Sequence, residues 1–318
     1  MSAVTDTHDR WYRWLREVRH GGDSAQLEQL RPELEAIRDR VLDRASLRPG
    51  DTLLDVGTGD GLIAVGALDR LGPSGRVIFS DISADLLEHC RVAATEAGEL
   101  SRCDFVTASA DNLAGIADSS VDVVTARSVL IYVAAKTGAF AEFRRVLRPG
   151  GRISIFEPVN TLMQECDAGV FYGYDVRPVA ESAAKVQARF AALQPPGRDP
   201  MLDFDDRDLV RLAELAGFAD VRLDLEVSVR RTRPPVSWDA FLRSSGNPNL
   251  PPLGLMLEEA LTPAELAAFT GHLRPLVEAG DGTDRRAVAY LTAGGIDAPG
   301  VTTWPSGCMG SARLASSS

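Results

Sequence analysis

The stretch Leu53-Leu54-Asp55-Val56-Gly57-Thr58-Gly59-Asp60-Gly61 constrains the fold more than any other part of the chain. A short apolar run empties into Gly-x-Gly-x-Gly, and a helical pattern follows from Leu62 to Leu71. Glycines at that spacing let backbone approach a ligand where a Cβ would collide. A helix starting behind them aims its first N–H groups at the same place. A dinucleotide loop has Gly-x-Gly-x-x-Gly, and the position of its third glycine is Leu62 here, which counts against NAD.

The alternation continues downstream. Strand patterns at 76–81, 104–107, 121–126 and 152–157 are interleaved with helical ones at 84–97 and 138–147, and Pro149-Gly150-Gly151 turns into the last of them. Strands alternating with helices at these lengths form a parallel sheet covered on both faces. Before this unit, Leu27, Leu30, Leu34, Ile37 and Val41 recur at helical spacing, and His20-Gly21-Gly22-Asp23 divides an N-terminal cap of two helices over 1–45. The core is expected over 46–232, with a lid or insertion of little periodicity at 160–203 and a helix at 208–216. The run 221–229 alternates as a half-exposed strand, and 286–292 has comparable strand character within a last-strand segment 286–298. The fifty-odd residues between them exceed any hairpin loop, so 233–285 is expected to be a helical insertion, with helices near 237–244 and 263–278. The Ser- and Gly-rich 299–318 is expected to be a disordered tail.

With 318 residues, 45% hydrophobic and 25% charged, the chain can bury a full α/β core. A formal net charge of −11 argues against nucleic-acid binding, which needs a basic footprint. Cys90, Cys103, Cys166 and Cys308 form no CxxC pair and no Cys/His ligand set, so neither a disulfide framework nor a metal site is expected. No apolar run reaches the ~20 residues of a membrane span, and the N-terminus has no signal-peptide pattern. The expectation is a cytoplasmic protein that works on a small molecule, with no membrane partner.

These motifs resemble the class I S-adenosylmethionine (SAM)-dependent methyltransferase family, in particular its ubiquinone/menaquinone-type methyltransferase-domain branch. The likeness runs over about 51–159 and resumes at 205–229. It implies a Rossmann-like, seven-stranded, mostly parallel sheet whose antiparallel last strand slots between strand five and the strand before it. It also implies that Asp55, Gly57, Thr58, Gly59 and Gly61 hold the methionine and ribose end of SAM, and that Asp81, with Ile82, binds the ribose hydroxyls. A carboxylate suits two vicinal hydroxyls because it accepts from both. Ala108-Ser109-Ala110-Asp111-Asn112-Leu113 matches the adenine loop with Ser109 where the family has Asp, so Ala110 and Asp111 are the expected contacts. Arg127 and Ser128 open the segment beneath the cofactor, Arg127 being either a ligand-facing cation or a surface ion-pair residue. Val146-Leu147-Arg148-Pro149-Gly150-Gly151-Arg152 supports the fold alone.

A sulfonium methyl is already electrophilic, so such an enzyme needs alignment and a base only for a protonated acceptor. Glu157, at the end of strand five, and His20 are the candidate bases. Tyr172, Tyr174 and Asp175 are candidates for orienting a substrate; His8, His89 and His272 read as surface residues. Trp11-Tyr12-Arg13-Trp14 is either a core anchor or a lid, with Tyr12, Arg13 or Arg16 meeting the SAM carboxylate. At least one of Trp238, Phe241, Leu253, Met256 and Leu257 is expected to line the acceptor pocket. The resemblance implies methyl transfer to O, N or C of a metabolite, in secondary metabolism. Scattered cysteines count against an arsenic substrate. The alternatives are a SAM-binding decarboxylase or hydroxylase, a NAD(P)-dependent oxidoreductase, and a non-catalytic SAM-binding subunit.

Overall fold

The computed structural model describes residues 8–163, 169–195 and 198–295. Cys166, Cys308 and the segment 299–318 lie outside them. One seven-stranded sheet organises the chain: β1 Thr52–Val56, β2 Arg76–Asp81, β3 Cys103–Thr107, β4 Val121–Arg127, β5 Leu147–Pro158, β8 Ala219–Arg230 and β9 Asp284–Gly294. A two-stranded hairpin, β6 Val170–Phe171 and β7 Tyr174–Asp175, stands apart. The order across the sheet is β3-β2-β1-β4-β5-β9-β8. The first five strands are parallel, and β9 is antiparallel to both β5 and β8. The last strand therefore slots between strand five and its predecessor, as the resemblance implies.

Helices α1 Arg10–Arg13 and α2 Ser24–Arg44 precede the sheet. α3 Leu62–Leu71, α4 Ala84–Glu96 and α5 Lys136–Val146 connect its parallel strands, and α7 Asp206–Leu215 leads into β8. Period-two alternation divides each strand between the two faces: Leu53 packs with Leu42, Ile63 and Leu87 on one side. Leu54 and Val56 pack with Phe140, Phe143 and Leu209 on the other. Burying both faces is what makes these strands read as continuous apolar runs. The strand order reverses at β1, between β2 and β4. Loops leaving the carboxyl ends of neighbouring strands diverge at such a switch point and leave a crevice.

A third apolar cluster lies outside the sheet and combines two distant segments. Phe171, Tyr174, Ala183 and Val186 pack against Trp238, Phe241, Leu257, Phe269 and Leu273. Among the described residues of 160–203, regular structure is present: besides the β6–β7 hairpin there is α6 Ala180–Leu193. That helix is built from Ala, Glu, Lys, Gln and Arg, all strong helix formers. Its face toward the cluster is short, Ala183 and Val186 with Phe190 packed beside them, which leaves a weak periodic signal. It packs with α9 Leu253–Ala260 and α10 Pro263–Ala279, both of which hold α8 Trp238–Arg243; α9 joins the two helices expected from the sequence. The chain re-enters the core where the buried Lys136 ammonium donates to the carbonyls of Val133 and Pro200, each at 2.9 Å, and to the Asp203 carboxylate. No described helix is long and apolar enough to cross a membrane.

Candidate functional site

The crevice above β1 holds a cavity of about 230 Å³, whose wall includes Gly57, Gly59, Asp81, Ser109, Arg127 and Tyr132. Ile82, Ala110, Asp111 and Ser128 belong to the same wall. Gly57, Gly59 and Gly61 all adopt positive φ, at 60°, 59° and 85°. A side chain on Gly57 would meet Val129 Cγ2 at 2.5 Å, and one on Gly59 would meet Leu15 Cδ2 at 3.2 Å. The glycines thus serve both the turn and the close approach of the opposite wall.

Asp55, Thr58 and Gly61 stand behind this wall rather than in it. The Asp55 carboxylate is 1% exposed and accepts from the hydroxyls of Thr58 at 2.8 Å and Thr125 at 2.7 Å. It braces the glycine loop against β4, and burial pushes its pKa up to about 6. Gly61 caps α3. Asp81 does face the cavity; its oxygens accept from the amides of Gly59 and Ser83, both at 2.9 Å. A carboxylate has four lone-pair sites, so capacity remains for a ligand hydroxyl. Burial raises its pKa, partly offset by those amides. In the third loop the Ser109 hydroxyl donates to the Asp111 carboxylate, so the two candidates for adenine readout act as one unit.

The roof is the N-terminal segment. Asp9 caps α1 through the amides of Trp11 and Tyr12 and accepts from the Ser83 hydroxyl at 2.7 Å, tying the roof to the exit of β2. Trp11 and Trp14 meet Tyr132 edge-on at 5.2 and 5.8 Å between ring centroids. The Trp14 indole N–H donates to the Ser245 carbonyl at 3.0 Å, tying the roof to the helical subdomain. Residues Trp14–Val18 form a single π turn closed by Arg19 N–H on the Trp14 carbonyl. Such a turn shifts the residues that follow relative to an α-helix. Leu15 and Arg19 line the cavity, whereas Tyr12 and Arg13 do not. Nothing in the sequence marked Arg19; the aromatic stretch pointed to this segment, but the π turn decides which side chains face in.

A second, larger cavity of about 1000 Å³ adjoins the first through a neck formed by Leu15, Arg19, Arg127 and Ser128, which line both. Its apolar wall is the Leu27, Leu30, Leu34 and Ile37 face of α2, opposed by Phe156, Val288 and Tyr290. His20 lines this cavity, and burial followed by repulsion from Arg19 pushes its pKa down to about 4. Ser128, at the neck, holds φ 56°, a strained value for a non-glycine residue, with its N–H on the Phe156 carbonyl at 2.8 Å.

Glu157 is no free base. It is fully buried and lines neither cavity. Its carboxylate accepts from the amides of Val129 and Leu130, both at 2.8 Å, and Ile131 at 3.3 Å, closing the turn below the neck. Burial still pushes its pKa up to about 7. Trp238, Phe241, Leu253, Met256 and Leu257 also line neither cavity. All are at most 8% exposed, because the pairing of 233–285 with the 170–190 segment encloses them. Tyr172, Tyr174 and Asp175 lie in that subdomain's hairpin region, likewise away from both cavities. Among the described residues no cluster of three or more His, Cys, Asp or Glu could hold a metal ion.

Residues 54–155 match the methyltransferase domain family model. The chain is 33% identical over 145 residues to a ubiquinone/menaquinone biosynthesis C-methyltransferase of Hahella chejuensis, covering 45% of this chain and 57% of that one. It is 33% identical over 117 residues to an arsenite methyltransferase of Halobacterium salinarum, covering 37% and 29%. The chain spans about half the length of the curated relatives it matches. Among solved structures, geranyl diphosphate C-methyltransferase from Streptomyces coelicolor A3(2) aligns at TM-score 0.47 and 18% identity, over 85% of this chain and 81% of that one. The matched residues are those that build the glycine loop, the acid of β2 and the floor of the neck. Over residues 54–155, the stretch that builds the glycine loop and the first five strands' core, the chain thus carries a methyltransferase domain.

Proposed function

We propose that the protein is a SAM-dependent methyltransferase acting on a small molecule held in the larger cavity. The observation that carries this reading is the neck: a cavity lined by the glycine loop and Asp81 opens, through Arg19, Arg127 and Ser128, onto a larger one of about 1000 Å³.

The residues fit the cofactor. One carboxylate oxygen of Asp60, where the glycine loop reaches the wall of the larger cavity, is buried with no hydrogen-bond partner. An orphaned buried acceptor is costly unless something fills the role, and an amino-acid ammonium is the complement it lacks. Gly57 and Gly59 give backbone access beside it, Asp81 and Ile82 would hold the ribose, and Ala110 with the Ser109–Asp111 pair would hold the adenine. Bound SAM supplies a methyl group already activated on sulfonium. The protein's part is to align the acceptor at the neck and to exclude water with the Trp11–Trp14–Tyr132 roof. His20, neutral at working pH, accepts a hydrogen bond from the acceptor; so weak a base orients rather than deprotonates. Glu157 positions the Val129–Ile131 turn and touches no reactant.

The test is calorimetric. The protein should bind SAM and S-adenosylhomocysteine, and Asp81→Ala should weaken both roughly tenfold to a thousandfold, given about 1.5–3 kcal/mol for each lost hydrogen bond to a charged group. Unchanged affinity in a folded Asp81→Ala variant would remove Asp81 from the site, and no binding by the wild type would remove the reading.

A further inference from the structure

Among the described residues seven arginines line the larger cavity, and three of them, Arg16, Arg230 and Arg285, are exposed to solvent. On the outer wall, Arg40 pairs with Glu226 at 2.5 Å, and Arg286 pairs with Glu33 and, at 3.1 Å, with Asp284. Those charges are already matched. At the neck, half-buried Arg19 and Arg127 face each other's field, and neither makes an ion pair among the described residues. Arg19 lies over the Trp14 ring at 5.1 Å, its charge disfavoured by burial and by Arg127 and supported by Tyr132 and Asp60. Two like charges drawn out of water against the single Asp60 carboxylate are unfavourable, and a ligand anion is the usual remedy.

The cofactor does not supply enough negative charge. SAM carries one carboxylate against an ammonium and a sulfonium, so it enters with a net positive charge. With Asp60 matched to the ammonium, its carboxylate can neutralise one guanidinium, while the sulfonium adds a further cation beside the neck. The site is then still cationic, in a protein whose formal net charge is −11. Beyond the neck the wall turns apolar along Leu27, Leu30 and Leu34.

We propose that the acceptor is an anion, a carboxylate or phosphate on an apolar body, with Arg19 and Arg127 clamping the charged group at the neck and α2 covering the body. This rests on the methyltransferase reading for the neighbouring cofactor, and it narrows the acceptor to a chemical class. Arginine suits the task because its planar fork meets either oxyanion with two parallel hydrogen bonds.

Three probe pairs test it by calorimetry, with and without saturating S-adenosylhomocysteine: octanoate with octanamide, 4-phenylbutyrate with 4-phenylbutanamide, and phenyl phosphate with phenol. At least one anion should bind about tenfold or more tighter than its neutral partner, and should keep that advantage with S-adenosylhomocysteine present. The carboxylate and phosphate arms distinguish the two oxyanions. The Arg19→Gln/Arg127→Gln double variant should lose the advantage, while Arg19→Lys/Arg127→Lys, which keeps both charges, should retain part of it. Equal affinity within every pair, undetectable binding included, overturns the proposal. So does an advantage that disappears when S-adenosylhomocysteine is added, since the cofactor's carboxylate would then own the clamp. An advantage that survives in the folded Gln variant overturns it as well. Failure of the cofactor reading is a separate outcome, seen as a wild type that does not bind S-adenosylhomocysteine at all.

Discussion

The two adjoining cavities are built in opposite ways. Most of the cofactor cavity comes from loops that follow β1, β2, β3 and β4 in order, each a few residues beyond a strand end. The larger one is assembled from α2, the π turn, the end of β5 and the β8–β9 edge, pieces more than two hundred residues apart in the chain. The first kind of site is repeated local structure, since each loop's position follows from its own strand. The second exists only once the last strand has inserted beside β5 and α2 has packed across the sheet. A mutation can therefore remove one function and leave the other.

The sharpest break is Gly59→Val. The new side chain would carry φ near 59° and reach Leu15 at about 3.2 Å, so the strain falls on the glycine loop and the collision on the end of one flexible side chain at the neck. SAM binding should fall below calorimetric detection, a loss of roughly a thousandfold or more, and anion binding in the larger cavity should persist. Normal SAM affinity in this variant would mean that the loop does not face the cofactor.

Phe269→Ala tests the other side. Phe269 is fully buried in the helical subdomain's core, between Phe171 and the facing helices. Truncation should cost about 3–5 kcal/mol of stability in that cluster. If the subdomain is energetically separate from the sheet, denaturant unfolding followed by SAM binding should show two transitions, with the cofactor site surviving the first. A single transition lost together with SAM binding would show that the two regions fold as one.

This contrast also explains what the sequence revealed. The parallel sheet was legible because Leu53-Leu54-Asp55-Val56 and its successors are apolar on both faces and end in turn signals, whereas the place of the last strand came from the family resemblance. Gly57 and Gly59 were legible as cavity residues for the same local reason, and the resemblance added Asp81. Asp55 was misread because a carboxylate beside a glycine loop looks the same whether it faces a ligand or the hydroxyls of Thr58 and Thr125. Glu157 was misread likewise, its three amide donors lying twenty-six to twenty-eight residues away. Arg19 had no local signature, since its place depends on one π turn. The pairing of 170–190 with 233–285 left no trace in periodicity, because α6 meets its partners through few apolar positions, Ala183, Val186 and Phe190.

Glu157 provides a pH test of its structural role. Its folded pKa, pushed by burial to about 7 from an ordinary 4.5, lies above the unfolded value. The native state therefore holds the proton more tightly across that window. The stability this contributes is fully present below about pH 4.5 and is lost as pH rises through 7, of order 3 kcal/mol in total. Glu157→Gln removes the titration and keeps an acceptor for Val129 and Leu130, at the cost of the Ile131 bond. Denaturant midpoints between pH 6 and 8 should thus slope downward in the wild type and less steeply in the variant, with Asp55, pushed up to about 6, keeping some slope at the lower end. Parallel slopes would show that Glu157 is ionised in the folded protein throughout this range.

The smallest expected effect falls on the roof, which with Arg127 and Ser128 is shared by both cavities. Trp14 is 6% exposed, and its indole N–H is its link to the Ser245 carbonyl of the helical subdomain. Trp14→Phe keeps an aromatic ring against Trp11 and Tyr132 but removes that donor, a loss of about 1 kcal/mol for one hydrogen bond. The core sheet does not depend on this contact, so the melting of the whole chain should barely move. Roof opening does depend on it, because the main ties then left are those of Asp9 to Ser83 and Asp85 and the exposed Arg10–Asn249 hydrogen bond, all at the start of the segment. Amide exchange across residues 10–20 should quicken about fivefold, the factor that 1 kcal/mol gives for a local opening equilibrium. Because Leu15 and Arg19 ride on this segment and line both cavities, S-adenosylhomocysteine and the anion probes should weaken together and by similar small factors. A variant in which only one ligand weakens would show that the roof serves a single cavity, and that the neck is closed by the sheet side alone.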